Sequence, residues 1–226
     1  MKQKPAINTL LQTMARLRAP DGCPWDREQD HSSLRFHAVE EVYELMDAIE
    51  AGDDVEMIEE LGDVLLQVVF HCQLGSERGA FDFETVCARI SQKLVHRHPH
   101  VFGKTRVKDV AAVWAQWEKI KRAEKLGTRH ERPSALDGIP KHLPSLLRAE
   151  KLVKKARRSG LSDEPVAGER AKGRSKADVA RELFELAEYA QSRGWSAEAL
   201  LRSQIQKTER ALRRRENTAT PRSARA

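Results

Sequence analysis

The sequence lacks the features that mark a disulfide-rich protein, a zinc-knuckle protein or a membrane protein. It has three cysteines, an odd number without a CxxC pair, and so predicts neither a disulfide framework nor a zinc knuckle. Its most apolar stretch, Val64–Phe70, is interrupted by Gln67 and is far shorter than the roughly 20 residues of a transmembrane helix. The first residues contain no unbroken apolar segment typical of a secretory signal. We therefore expect a cytoplasmic protein with reduced thiols and no membrane contact.

An evenly distributed positive charge is also absent. The formal net charge is +6, but residues 1–140 carry 19 Lys and Arg against 23 Asp and Glu, a net charge of −4. Residues 141–226 carry 21 Lys and Arg against 11 Asp and Glu, a net charge of +10. Because the basic surplus is confined to the C-terminal part, the overall charge does not indicate a nucleic-acid-binding protein.

Strand-like alternation of apolar and polar residues is missing as well, and apolar residues recur at helical spacing instead. The sequence predicts an all-α fold, a helical bundle in which the helices on either side of Gly52 form an antiparallel hairpin. On the second helix of this hairpin the residues predicted to face inward include Val55, Ile58, Leu61 and Val69. We expect a first, catalytic domain at 1–132, a degenerate and shortened second repeat at 133–216, and a disordered tail at 217–226.

The second repeat is predicted from an internal alignment of helices. Apolar residues from Leu61 to Val68 match those from Val179 to Leu186 in spacing and character. Two acidic positions of the first repeat are changed in the second, because Glu60 aligns with Asp178 and Asp63 aligns with Arg181. A site that used the first pair would therefore be incomplete in the second repeat.

Four carboxylates at helical spacing form the most informative pattern. Glu41 and Glu44 lie one turn apart on the first helix of the hairpin, and Glu60 and Asp63 lie one turn apart on the second. Asp63 stands in an apolar segment that we expect to be mostly buried, where an ionised carboxylate must be paired or bind a metal ion. Oxygen ligands without imidazole suit magnesium, with manganese as the alternative.

Two simpler interpretations of the acidic residues stay open. The first is that the acids of this helix belong to its solvated face, a common arrangement for an amphipathic helix; they are Glu40, Glu41, Glu44 and Asp47. The second is that Asp63 forms a buried salt bridge with an arginine or lysine. A di-iron site is disfavoured, because neither helix contains a Glu-x-x-His pair.

Three further residues fit a polyphosphate ligand with a base attached. Lys93 and Arg97 lie four residues apart on one helix and could clamp phosphate oxygens, although a solvated basic stripe explains them equally well. Trp25, in a loop rich in glycine and proline, could stack on a nucleobase, although such a tryptophan is more often a loop anchor.

Five collinear segments resemble the MazG family of nucleoside triphosphate pyrophosphohydrolases. They are GCPWDREQ (22–29), EEVYE (40–44), EELGD (59–63), KLVHRHPHVF (93–102) and WEKIK (117–121). The resemblance covers about residues 7–125 and implies an all-α fold, a homodimer, magnesium dependence, and cleavage of NTPs or dNTPs to the monophosphate and pyrophosphate.

The resemblance also implies roles for individual residues. The metal ligands would be Glu41, Glu44, Glu60 and Asp63, the catalytic residues Glu40 and Glu41, the phosphate-binding residues Lys93 and Arg97, and the base contact Trp25.

Two functions of different classes follow. The leading hypothesis is a magnesium-dependent NTP pyrophosphohydrolase that uses the first repeat. The alternative is a non-catalytic or regulatory dimeric scaffold whose basic C-terminal part binds an acidic partner or RNA, for which Arg213–Arg215 is weak support.

Overall fold

The computed structural model describes residues 5–129, 131–162 and 173–219, and across these residues it contains helices and no strand. This confirms the all-α prediction. A 3-10 helix occupies Ser33–Arg35. The α-helices in chain order are α1 Ala6–Leu17, α2 Pro24–Glu28, α3 His37–Ala51, α4 Asp54–Glu77, α5 Phe83–Arg97, α6 Pro99–Phe102, α7 Val110–Ala123, α8 Ser145–Arg158, α9 Lys176–Ser192 and α10 Ala197–Ala219.

The chain divides into two compact units, residues 1–117 and 118–226. This division falls within α7, upstream of the end of the predicted first domain at residue 132. The assignment of 133–216 as a degenerate repeat stays a prediction. Of the predicted tail, residues 217–219 belong to α10, and 220–226 lie outside the described residues.

The α3–α4 hairpin turns at Gly52, as the sequence predicts. Gly52 ends α3 in the left-handed conformation, with φ of 67°, which glycine adopts without steric cost. The side chain of Asp53 then accepts hydrogen bonds from the backbone N–H groups of Val55 and Glu56 and so caps α4. A short turn of this kind forces α3 and α4 to lie side by side.

The core of the first unit lies at the C-terminal half of α4. Val69, Phe70 and Leu74 of α4 pack there against Met14 of α1 and Leu34 of the 3-10 helix. The N-terminal half of α4 is different, because Ile58 is 73% exposed and Leu61 is 50% exposed in the single chain. The prediction that Val55, Ile58 and Leu61 face inward is therefore wrong for the single chain, whereas it is confirmed for Val69.

A close backbone approach holds α2 against the end of α1. A Cβ atom at Gly22 would lie 2.1 Å from the carbonyl oxygen of Leu17, which accepts a hydrogen bond from the N–H of Cys23 at 2.7 Å. Trp25 follows in α2, so it stands on a short helix and not in a loop as predicted. The close packing therefore requires glycine at position 22. It also fixes the position of α2, the helix that carries Trp25.

The second unit has its own core between α8 and α10. Leu152 and Ala156 of α8 pack against Ile205 and Leu212 of α10, together with Leu136. Ser145 at the start of α8 donates from its backbone N–H to the carboxylate of Glu198 at 3.0 Å, which fixes the register of the two helices. No helix in the described parts of the chain has the length and apolarity that crossing a bilayer requires.

Candidate functional site

Three carboxylates from the α3–α4 hairpin converge on one point of the first unit. Oxygen atoms of Glu41 on α3 and of Glu60 and Asp63 on α4 all lie within 4.8 Å of one another. All three residues are half-buried. Within the described residues no other group of three or more histidine, cysteine, aspartate and glutamate side chains is arranged closely enough to hold a metal ion.

Glu44, the fourth predicted ligand, lies at the edge of this cluster. Its side chain is exposed, and it does not belong to the group of three. Its charge nevertheless acts on the cluster, because it raises the pKa of both Glu41 and Glu60. The structure thus brings three of the four predicted ligands together and places the fourth next to them.

The electrostatics of the cluster favour a cation. Burial raises the pKa of Glu41, and the charges of Asp63 and Glu44 raise it further. Burial and the same neighbouring carboxylates also raise the pKa of Glu60, whose Oε2 atom is buried without a hydrogen-bond partner. Repelling carboxylates with an unpartnered buried oxygen are the donor set that a hard divalent cation requires.

Asp63 is less buried than the sequence predicts. It is half-buried, because the apolar neighbours Leu61 and Leu65 are themselves exposed in the single chain. The ion pairs that the described residues form do not include Asp63, so the alternative of a buried salt bridge is not observed. Oxygen atoms of two other carboxylates, Glu41 and Glu60, lie within 4.8 Å of an oxygen atom of Asp63.

Gln67 contacts the carboxylate cluster through a hydrogen bond to Glu41. The sequence patterns did not identify it as a site residue. It is buried one turn after Asp63 on α4, and its Nε2 atom donates a long hydrogen bond of 3.4 Å to Oε1 of Glu41. This bond opposes the upward pKa shift of Glu41 and restrains its orientation. In the sequence Gln67 only interrupts an apolar run, but its spacing of four residues from Asp63 places both on one face of α4.

His71 and His31 continue this face of the site beyond Gln67. His71 follows Gln67 by one turn, and its Nδ1 atom lies 2.8 Å from Nδ1 of His31, with the two rings stacked at 14°. Burial and the neighbouring His31 lower the pKa of His71. One ring must donate and the other accept, so at least one of the two histidines is neutral at this contact.

Glu40 and Trp25 are linked through His37, at the start of α3. Oε2 of Glu40 lies 3.8 Å from Nδ1 of His37, and the ring of Trp25 meets that of His37 edge-on at 6.1 Å. Trp25 is 53% exposed, and Glu40 is exposed and lies outside the three-carboxylate cluster. The roles predicted for these two residues stay predictions.

Lys93 and Arg97 both lie on α5, which packs against α4. Lys93 is exposed and Arg97 is half-buried. Neither side chain belongs to the carboxylate cluster, and their phosphate-binding role stays a prediction.

Comparison with known proteins shows that these residues lie in a segment that matches a known domain family. Residues 29–102 match the MazG nucleotide pyrophosphohydrolase domain. That range contains the three clustered carboxylates, Glu44, Lys93 and Arg97, and it ends before the second unit.

Three relatives show how far the similarity extends. The chain is 46% identical over 155 residues to the nucleoside triphosphate pyrophosphohydrolase of Escherichia coli, covering 68% of this chain and 58% of that protein. It is 49% identical over 148 residues to the uncharacterized protein YabN of Bacillus subtilis, covering 66% of this chain and 30% of that protein. An uncharacterized 26.1 kDa protein of Streptomyces cacaoi is 40% identical over 196 residues, covering 86% of this chain and 76% of its own length. The chain thus spans less than two thirds of the Bacillus and Escherichia relatives.

Proposed function

Because the chain belongs to the MazG nucleotide pyrophosphohydrolase family, we propose that it hydrolyses nucleoside triphosphates, NTPs or dNTPs, to the nucleoside monophosphate and pyrophosphate. The observation that carries the proposal is the convergence of Glu41, Glu60 and Asp63 within 4.8 Å, inside the matched range. The substrate class follows from the name of the Escherichia relative. Such substrates and free thiols favour the cytoplasm as its location.

The cation proposed for this site is magnesium, with manganese as the alternative. Glu41, Glu60 and Asp63 offer oxygen atoms alone, and Glu44 adjoins them as a fourth ligand. Hard divalent cations prefer such ligands, and magnesium usually retains several waters beside one or two carboxylates. When bound, the cation offsets the negative charge of the triphosphate and makes water a better nucleophile at neutral pH.

The remaining chemistry falls to side chains around the cluster. The oxygen of water forms a bond to the α-phosphorus, the bond from that phosphorus to the bridging oxygen breaks, and pyrophosphate leaves. Glu40 is exposed on α3, directly before Glu41 in the sequence, and would accept the proton of the attacking water. Glu41 would orient that water, held in place by Gln67.

Substrate binding is assigned to three residues outside the cluster. Lys93 and Arg97 on α5 would bind the phosphate oxygens of the leaving pyrophosphate, since cations there stabilise the developing charge. Trp25 has an exposed ring next to His37 and would stack on the base.

The second unit supports the assignment of catalysis to the first. At the positions aligned with Glu60 and Asp63, Asp178 and Arg181 form an ion pair of 2.6 Å. The carboxylate of Asp178 also accepts a hydrogen bond from the backbone N–H of Ser175, the N-cap residue of α9. An aspartate neutralised in this way is a poor metal ligand, which agrees with a degenerate second repeat.

A homodimer is proposed from the apolar surface of the hairpin. Val42, Met46 and Ile49 form one exposed stripe on α3, and Ile58, Leu61 and Leu65 form another on α4. Exposed apolar surface of this extent marks an interaction site.

Light scattering should give the mass of a dimer, and Ile58→Glu should give a monomer, whereas Val110→Glu at an equally exposed position should not. A monomeric wild type would contradict this proposal.

Pyrophosphate release tests the proposed activity directly. Purified protein with magnesium and a panel of NTPs and dNTPs should release pyrophosphate, and Asp63→Ala should abolish the release. Asp47→Ala removes an exposed acid of α3 outside the cluster and should leave turnover unchanged. Release of orthophosphate instead, or no release from any nucleotide, would overturn the proposal.

A further inference from the structure

A pocket of about 520 Å³ in the second unit is lined mainly by cations. It lies between the segment that precedes α8, α8 itself and α10. Its charged lining residues are five cations and one acid: Lys141, Arg148, Arg202, Arg210, Arg213 and Glu209. None of these residues takes part in the function proposed for the first unit.

Several of the cations are held in fixed positions. Arg148 is 6% exposed, and its Nη2 atom donates to Oε2 of Glu209 at 2.7 Å. Arg202 donates to the backbone carbonyls of Lys141 at 2.6 Å and Leu143 at 3.0 Å. Guanidinium groups restrained in this way lose little side-chain entropy when a ligand binds.

The buried guanidinium of Arg148 has an unused donor. Its Nε atom is buried and has no hydrogen-bond partner within the described residues. A buried donor without a partner is unfavourable for the folded chain. Arg148 is one of the residues that line the pocket, and its guanidinium supplies a buried positive charge there.

The surrounding carboxylates do not balance the cations. Glu209 is shared between Arg148 and Arg213, Asp137 pairs with Arg213, and Glu198 pairs with Arg202. The side chains of Lys141 and Arg210 form no ion pair or hydrogen bond within the part of the chain that the structure describes. Five cations facing three carboxylates leave two positive charges in excess.

We propose that this pocket binds a small phosphate anion of the pyrophosphate class. Arginine and lysine side chains are suited to several phosphate oxygens at once, and the volume lies within the usual range for small-molecule sites. The lining contains no Phe, Tyr or Trp, the side chains with the largest rings for stacking on a base, which favours an inorganic anion of the pyrophosphate class over a nucleotide or RNA. Binding here does not depend on hydrolysis in the first unit.

Calorimetry on the full-length protein in EDTA tests the pocket, because chelation removes divalent cations from the carboxylate cluster. Inorganic pyrophosphate should bind, and Lys141→Gln and Arg210→Gln should each weaken its affinity about tenfold, the effect of one lost charged contact. Lys151→Gln and Arg214→Gln are the matched controls on α8 and α10, since both residues are exposed and outside the lining. These controls, and Asp63→Asn in the first unit, should bind pyrophosphate like the wild type.

Three results would overturn the proposal. The first is the absence of pyrophosphate binding in EDTA. The second is equal weakening in the pocket variants and their matched controls, which would indicate general charge attraction. The third is tighter binding of single-stranded RNA than of pyrophosphate with the same dependence on Lys141 and Arg210, which would make the pocket part of a nucleic-acid surface.

Discussion

Gln67 donates from Nε2 to Oε1 of Glu41 across the two helices that carry the carboxylate cluster, at 3.4 Å. The bond joins a buried neutral side chain to a carboxylate that is otherwise surrounded by carboxylates. We therefore propose that Gln67 acts on the site through Glu41, as a positioning residue.

Replacing Gln67 with leucine should weaken magnesium-dependent turnover. Residues behind a metal ligand typically contribute 10–100-fold to metal affinity or activity, so we expect at least a tenfold higher magnesium concentration for half-maximal rate. This concentration is measured by titrating magnesium and following the rate of pyrophosphate release. Gln73→Leu is the control, because Gln73 makes a similar bond to Glu77 on α4 but outside the cluster. Equal effects of the two variants would argue against a positioning role.

Removing a charge from the cluster should stabilise the metal-free protein and weaken its response to magnesium. In metal-free buffer Glu60→Gln should raise the midpoint of thermal unfolding, because the charged neighbours that raise the pKa of Glu60 also repel it. Magnesium at one hundred times its Kd should stabilise the wild type by about 2.7 kcal/mol and the variant much less. Glu56→Gln, an exposed acid of α4, should respond to magnesium like the wild type. A wild type that magnesium does not stabilise would contradict a metal site.

The lowered pKa of His71 predicts a loss of stability in mild acid. Above the ordinary histidine pKa of 6.5 the folded and unfolded chains both hold His71 neutral, and it contributes no pH dependence. Below that pH the unfolded chain takes up a proton that the folded chain resists, so the free energy of unfolding falls.

Between pH 7 and 5 this fall should be steeper in the wild type than in His71→Gln, by up to about 1.4 kcal/mol per pH unit. Urea denaturation at each pH measures the free energy of unfolding and so gives this slope. Identical slopes in the wild type and His71→Gln would show that the His31–His71 contact does not resist protonation.

A half-buried ion pair should contribute more to stability than an exposed one in the same unit. Arg18 is 8% exposed in its side chain and donates twice to Glu77, with both distances 2.7 Å. Arg16 and Asp21 form a similar pair on the surface. Glu77→Gln should lower the free energy of unfolding by about 1–2 kcal/mol, since it leaves Arg18 incompletely paired.

Asp21→Asn should leave the unfolding midpoint nearly unchanged, because solvent screens the exposed pair. Arg18 also lowers the pKa of Glu77, so its contribution is present above the ordinary glutamate pKa and is lost as the pH falls through the lowered value. Comparable effects of the two substitutions would mean that burial does not strengthen the Arg18–Glu77 pair.

Helical periodicity and acid spacing were sufficient to predict the hairpin and three members of the cluster. Glu41, Glu60 and Asp63 were predictable because residues three apart share a helix face and Gly52 permits a short turn. Gln67 was not, since a single polar residue in an apolar run does not reveal which carboxylate it meets.

The burial of α4 could be predicted only in part. Val69 and Ile58 look equally apolar in the sequence, but only Val69 meets α1 and the 3-10 helix within the protomer. Periodicity shows which residues prefer to leave water, not which surface will cover them. The basic pocket of the second unit escaped prediction for a related reason, because its cations come from segments far apart in sequence and only the packing of α8 and α10 gathers them.

The short turn at Gly52 also has a consequence for the order of folding. Glu41 and Asp63 belong to consecutive helices, so bringing them together closes a small loop and requires none of the second unit. Contacts this local form early, both in refolding from denaturant and on a growing chain. The carboxylates should therefore meet while most of the C-terminal part is still unfolded, and magnesium present at that stage should favour the compact hairpin before synthesis is complete.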